Sequence, residues 1–295
     1  MVYAFILSQE LIFPVLTMCH VLSVSRSCYY VYRKHGYTDE TSAEKKIEAQ
    51  VVDAFTLHKR RYGVRRLVPE LLDQGLKIGH CKVRRILHGK GLKAIQPKSF
   101  VPRTTDSRHP YPVSPNRLKG KALPAKINQV WVGDITFIPL KGGGWCYLAV
   151  WMDLFSRKVA GWQLLNHMKE TLIVEAFKKA WLNRTAAKGL IIHSDRGGQY
   201  AGNIFRKLLN GHQVLQSMSG VDNPYDNAFM ESYFSRFKAE LLQGGAFEGL
   251  ENARVEIFEY IETYYNPIRR HSALGYISPV AFERKMSYPQ KAEVP

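Results

Sequence analysis

QVWVGDITFIPLKGGGWCYLAVWMDLFSRKVAGWQLL, residues 129–165, holds three apolar runs separated by turn residues. The first, QVWVGDITFIPL, alternates with the period of two that marks a half-buried strand. Gly142 to Gly144 supply a hairpin turn, and GWCYLAVWMDLF and SRKVAGWQLL read as the second and third strands. Downstream, ETLIVEAFKKAWLN is an amphipathic helix, GLIIHSD a fourth strand, GQYAGNIFRKLLN a helix and HQVLQSM a fifth strand. Long helices follow from about 226 and 251. Three hairpin-linked strands, then helix–strand–helix–strand–helix, predict an α/β fold with a mixed five-stranded sheet flanked by helices.

Upstream the texture is helical and basic. Residues 14–34 read as two short helices about a turn at Ser23 to Ser25, with Met18, Val21 and Leu22 as their apolar face. This 1–42 segment resembles a helix-turn-helix, and a plain helical hairpin fits equally. A second unit, 43–93, places Ile47, Val51, Ala54 and Phe55 at helical spacing. VRRLVPELLDQG follows, closed by Gly75, and then GHCKVRRILHGKGL with Val83, Ile86 and Leu87 inward. Pro69 is a flaw in the middle helix unless it opens it. Residues 94–126, with six prolines, predict a basic extended linker ahead of a catalytic core over 127–290.

The net charge of +17 is unevenly placed: residues 1–128 carry +14 and residues 129–295 carry +3. Such a localised excess suits a polyanion, most often nucleic acid, better than a membrane, since no apolar insertion face accompanies it. The candidate DNA contacts are Arg65, Arg66, Lys82, Arg84 and Arg85 in the basic half, and Arg196, Gln199, Asn227 and Lys238 in the core. The apolar opening, interrupted by Glu10 and Pro14, predicts neither a signal peptide nor a membrane span. Four cysteines without a C-x-x-C pair favour reduced thiols, and the expected location is the cytoplasm of a bacterium, at the nucleoid.

Three acids stand out against this background. Asp134 lies within the first strand, Asp195 ends the fourth, and Glu231 lies on the helix that begins near 226. On that helix Phe229, Met230, Tyr233, Phe234, Phe237 and Leu241 form an apolar stripe. Asn227, Glu231 and Lys238 share a narrow arc at its edge, where a side chain can aim at the strand ends. Singly, each acid is more often a turn cap or a solvated charge. Together they make an all-oxygen anionic set suited to two Mg²⁺ ions, with Mn²⁺ as a substitute, rather than to zinc.

The blocks WVGDITFI, DLFSRKVAGW, HSDRGGQY, NPYDNAFMESYF and YNPIRRHSALGYISP resemble those of OrfB-type transposases of the bacterial insertion-sequence three family, in the retroviral integrase superfamily. Thirty-five residues separate Asp195 from Glu231, the spacing of that family's D-D(35)E signature, and Lys238 falls where the family carries Lys or Arg. The resemblance implies a ribonuclease H-like core in which Asp134, Asp195 and Glu231 bind two Mg²⁺. It implies cleavage of double-stranded transposon ends to a 3′-hydroxyl and joining of that hydroxyl to target DNA. It also implies a homo-oligomer on DNA and fusion or partnership with an upstream OrfA product. Val221 and Asp222 depart from the basic residue and glycine usual in the family's loop. Two other readings are a ribonuclease H-like nuclease without joining activity, and a non-enzymatic DNA-binding regulator. The first leaves the basic half unused and the second leaves the acids idle.

Overall fold

The computed structural model describes residues 2–35, 42–97, 110–184, 186, 188–220 and 228–287. Six helices come first: α1 (Val2–Gln9), α2 (Val15–Val21), α3 (Arg26–His35), α4 (Ser42–Leu57), α5 (Val64–Asp73) and α6 (His80–Gly89). Helix α1 was not anticipated. It closes a small core of Ile6, Met18, Cys19 and Tyr29. Val21 and Leu22, expected inside, are exposed, because α2 ends at Val21 and the chain turns away there. Helices α4–α6 bury Val51, Ala54, Phe55, Tyr62, Leu67, Leu71, Val83 and Leu87 against one another. Pro69 does not open α5 but lies inside it. An interior proline loses a backbone bond at a cost of about 3 kcal/mol. The buried Leu67 and Leu71 on either side hold the helix together across it.

The sheet forms where the sequence places it: β1 (Val130–Pro139), β2 (Trp145–Asp153), β3 (Val159–Leu165), β4 (Ile191–Ser194) and β5 (Leu215–Met218), in the order β3-β2-β1-β4-β5. The first three strands are antiparallel neighbours, while β4 runs parallel to β1 and β5 parallel to β4. This is the ribonuclease H-like arrangement. Alternation along β1 sends Val130, Val132 and Ile138 to one face and Trp131 and Ile135 to the other. The second face is covered by α7 (Glu170–Asn183), which approaches β3 closely because residue 161 is glycine. A β-carbon there would stand 2.7 Å from the Ala176 carbonyl and the Ala180 Cα.

The helix expected over 198–210 is two helices, α8 (Gly198–Ala201) and α9 (Asn203–Gly211), broken at an extended Gly202. The Glu170 carboxylate fills the space a side chain at 202 would need and accepts the Phe205 N–H at 2.6 Å, capping α9 from another helix. The first face is covered by α10 (Ala228–Phe237) and α11 (Leu250–Phe258). Each passes directly into a π-helical segment, Lys238–Leu242 and Glu259–Tyr265 respectively, and α12 (Pro279–Ser287) closes the described chain. Residues 114–117 lie against the edge strand β5. Ser114 Oγ donates to the Gln216 side chain at 2.8 Å, and the Arg117 N–H donates to Ser217 Oγ at 2.9 Å.

Candidate active site

The site begins with strand register. The parallel pairing of β1 and β4 aligns Val132 with His193. Two residues further on along each segment stand Asp134, within β1, and Asp195, just past the end of β4. Each carboxylate is fixed by a local backbone donor: Asp134 Oδ1 accepts the Ile135 N–H at 2.8 Å, and Asp195 Oδ1 accepts the Gly197 N–H at 3.0 Å. Glu231 comes from the first turn of α10 and is exposed, while Met230, Tyr233, Phe234 and Phe237 anchor that helix to the sheet.

Burial pushes the Asp134 carboxyl well above the usual carboxylate range, and the negative charges of Asp195 and Glu231 push it the same way. The Ile135 N–H and Lys238 pull it back. Tyr200, fully buried, is raised well above the usual phenol range by its burial and by Asp134 and Asp195. Lys238, the first residue of the π-helical turn after α10, is half-buried. Burial lowers its ammonium pKa and Asp134 raises it.

The donor set is carboxylate only, which suits a hard divalent cation. The concentrated negative charge at Asp134 is the kind of field such an ion relieves. Among the described residues, no three His, Cys, Asp or Glu side chains converge tightly enough to enclose one ion. Asp134 lies inside β1, Asp195 follows the end of β4, and Glu231 stands exposed on the first turn of α10.

The remaining candidates divide by how their side chains are used. Arg196 Nε donates to the Ser219 carbonyl at 2.7 Å, tying the turn after β4 to the end of β5. Gln199 Nε2 donates to the Met168 carbonyl at 3.1 Å, and Arg66 Nε to the Arg270 carbonyl at 2.9 Å. Arg65, Arg84 and Arg85 are exposed, and Lys82 is half-exposed. Asn227 lies outside the described residues.

Sequence reasoning passed over Asp153 and Glu240. Asp153 is fully buried and accepts the N–H groups of Asn128, Phe155 and Ser156, so the DLFSRK block builds a turn. Glu240 is buried against Arg269, with N–O distances of 2.5 and 2.8 Å, and accepts the Tyr260 hydroxyl at 2.9 Å. No signal in the sequence marks either acid as buried. Among the described residues, no helix is long and apolar enough to cross a membrane.

An integrase core domain model matches residues 124–224, a second integrase core domain model matches 212–279, and an HTH-like domain model matches 42–100. A chain of the simian T-cell lymphotropic virus intasome is 18% identical, with a TM-score of 0.48, covering 82% of this chain and 77% of that one. The HTLV-2 integrase catalytic core domain in complex with magnesium is 18% identical, with a TM-score of 0.37, covering 53% of this chain and 94% of that one. A 31 kDa protein of insertion element IS600 from Shigella sonnei is 37% identical, covering 91% of this chain and 98% of its own length. Transposase InsF for insertion sequence IS3A of Escherichia coli K12 is 38% identical over 287 residues, covering 97% of this chain and 99% of its own length. Similarity at that level, running through helical half and core alike, places the whole chain and not one domain: it belongs to the IS3-type family of insertion-sequence transposases.

Proposed function

We propose that this transposase cuts the ends of its insertion sequence and joins them to target DNA through Asp134, Asp195 and Glu231. The observation that carries the reading is the parallel pairing of β1 with β4, which sets Asp134 and Asp195 two residues beyond the aligned Val132 and His193, in a chain whose charge is strongly basic. The three carboxylates would hold two Mg²⁺ ions, which Mn²⁺ could replace, and the ions would supply positive charge to the phosphodiester undergoing transfer. The protein's own part is placement. The Ile135 and Gly197 N–H groups fix the two aspartates, and α10 carries Glu231 on its first turn. Lys238 adds an ammonium beside Asp134 that can meet a DNA phosphate.

In the first step a water oxygen bonds to phosphorus and the 3′-oxygen leaves as a hydroxyl. In the second, that hydroxyl bonds to a phosphorus of the target strand, and the target's own 3′-oxygen leaves. Neither step needs a covalent link to the protein. The exposed Arg65, Arg84 and Arg85, with Lys82, hold the double-stranded ends, and the enzyme works as a homo-oligomer with, or fused to, an upstream OrfA product. The site of action is the bacterial nucleoid.

Asp134→Asn, Asp195→Asn and Glu231→Gln test the assignment. Each keeps shape and removes charge, so each abolishes cleavage and joining of labelled end DNA while leaving DNA binding in place. Substantial activity in any one of them, with Mg²⁺ present, overturns the triad. A wild-type chain that cuts but never joins is a nuclease instead.

A further inference from the structure

The helical unit α4–α6 is joined to the C-terminal part of the chain by polar contacts, most of them partly buried. Tyr62 is fully buried; its hydroxyl donates to the Ile268 carbonyl at 3.2 Å and accepts the Arg270 N–H at 2.9 Å. Arg66 donates to the Arg270 carbonyl, and Arg270 reaches back to donate to Glu70 at 2.7 Å and Asp73 at 2.5 Å. Tyr264 packs into the core of the helical unit. The Arg61 guanidinium lies 4.4 Å from the Tyr264 ring centroid and 5.2 Å from that of Tyr260, and its Nε donates to the Glu240 carbonyl at 3.3 Å.

That carbonyl belongs to the π-helical turn Lys238–Leu242, which starts at Lys238 and directly continues the helix bearing Glu231. The consecutive residues Arg269 and Arg270 therefore grip opposite sides. Arg269 holds Glu240 of the catalytic helix's extension, and Arg270 holds Glu70 and Asp73 of α5. The docking uses α5 and the turn before it. Arg84 and Arg85, on α6, are exposed.

We propose that Arg61 and Arg270 are positioning residues, which lock the DNA-reading helical unit onto the helix carrying Glu231 and Lys238 and so set the distance from a bound DNA end to the carboxylates. The proposal rests on the DNA-cutting function given above. It adds that end binding and end cutting are coupled through this joint. Misplacement by about 1 Å at a reacting phosphate costs on the order of 10²-fold in rate. A loosened joint therefore leaves binding intact and slows chemistry.

The test uses the full-length chain with Arg61→Met, Glu70→Arg, Arg270→Glu, and the Glu70→Arg/Arg270→Glu exchange. Four quantities are measured: amide hydrogen exchange over residues 64–76, equilibrium affinity for end DNA, single-turnover cleavage at saturating end DNA, and non-specific plasmid nicking. In Arg61→Met, Glu70→Arg and Arg270→Glu, exchange over 64–76 accelerates and saturated end cleavage falls by roughly tenfold or more. End affinity stays within about threefold, since the contacts to DNA are untouched. Non-specific nicking is unchanged, which a merely unfolded core would not allow. The exchange of charges restores cleavage. Unchanged exchange in Arg270→Glu, unchanged cleavage despite faster exchange, or no recovery in the double variant overturns the positioning role alone. A wild-type chain that cuts no end DNA overturns the proposed function, and this inference with it.

Discussion

Lys238 shows how much one side chain's setting can say. A lysine at the edge of an apolar stripe usually snorkels to water. Here it is half-buried at the first position of a π-helical turn, where burial lowers its pKa and Asp134 only partly offsets that. Lys238→Ala lowers end cleavage and strand transfer more than it lowers non-specific binding. Lys238→Arg keeps much of the activity, because the residue acts as a point charge. Strand transfer on matched and scrambled ends, beside a melting curve, checks both. Two residues on, Glu240 has a different burden. Removing its charge by Glu240→Gln strands the buried Arg269, at a cost of roughly 3–5 kcal/mol in denaturant unfolding. Glu70 adds a pH dependence. His58, whose Nε2 stands 3.5 Å from Glu70 Oε1, and the hydrogen-bonded Arg270 hold its carboxyl down to about 2 from an ordinary 4.5, against the opposing effect of burial. The folded pKa is depressed, so its contribution is present above about pH 4.5 and lost as pH falls toward 2. The stability gap between wild type and Glu70→Gln should therefore close across that window in thermal melts. Of these residues the sequence displayed Lys238 through its spacing from Glu231. It hid Glu240 and Glu70, whose partners lie 29 and 200 residues away.

Strands and helices were legible wherever one face had to be buried and one period could serve it. β1 to β5 and α7 follow their hydrophobic patterns, since a one-residue slip in a strand would send the apolar set to the wrong face. One failure shows a distant side chain overriding a local preference. GQYAGNIFRKLLN has helical spacing throughout, yet Glu170 occupies the space beside Gly202 and caps a new helix there. The stripe through Leu241 assumed 3.6 residues per turn, whereas the chain widens to π geometry at Lys238, as helices often do at functional sites. Gly161 gives a direct test of how α7 meets the sheet. Gly161→Ala forces a methyl onto backbone atoms of α7 that have no rotamer to yield. Overpacking of this kind costs about 1–3 kcal/mol. The melting temperature drops accordingly, while the same substitution at Gly211, where a β-carbon meets nothing within 4 Å, leaves it nearly unchanged.

The distribution of charge over the chain gives the last prediction. Nearly all the excess, +14 of +17, lies before residue 129, and the carboxylates lie after it. The amphipathic pattern of α6 was enough to turn Arg84 and Arg85 outward, because Val83 and Leu87 had to be inside. It could not show that Arg66, equally basic, is spent on the Arg270 carbonyl. Counting basic residues therefore overstates the DNA footprint, and a salt titration measures the true one. Each phosphate neutralised contributes about −0.9 to the slope of log affinity against log salt concentration. If Lys82, Arg84 and Arg85 each meet one phosphate, the full-length Lys82→Gln/Arg84→Gln/Arg85→Gln variant should show a slope shallower by about 2.7. Because phosphate contacts carry no sequence information, matched and scrambled ends should weaken together. Arg66→Gln should leave the slope unchanged and instead lower the melting temperature, its bond to Arg270 being lost. A triple variant with the wild-type slope would move the DNA-binding face off α6. A shallower slope in Arg66→Gln would put that arginine on the DNA as well.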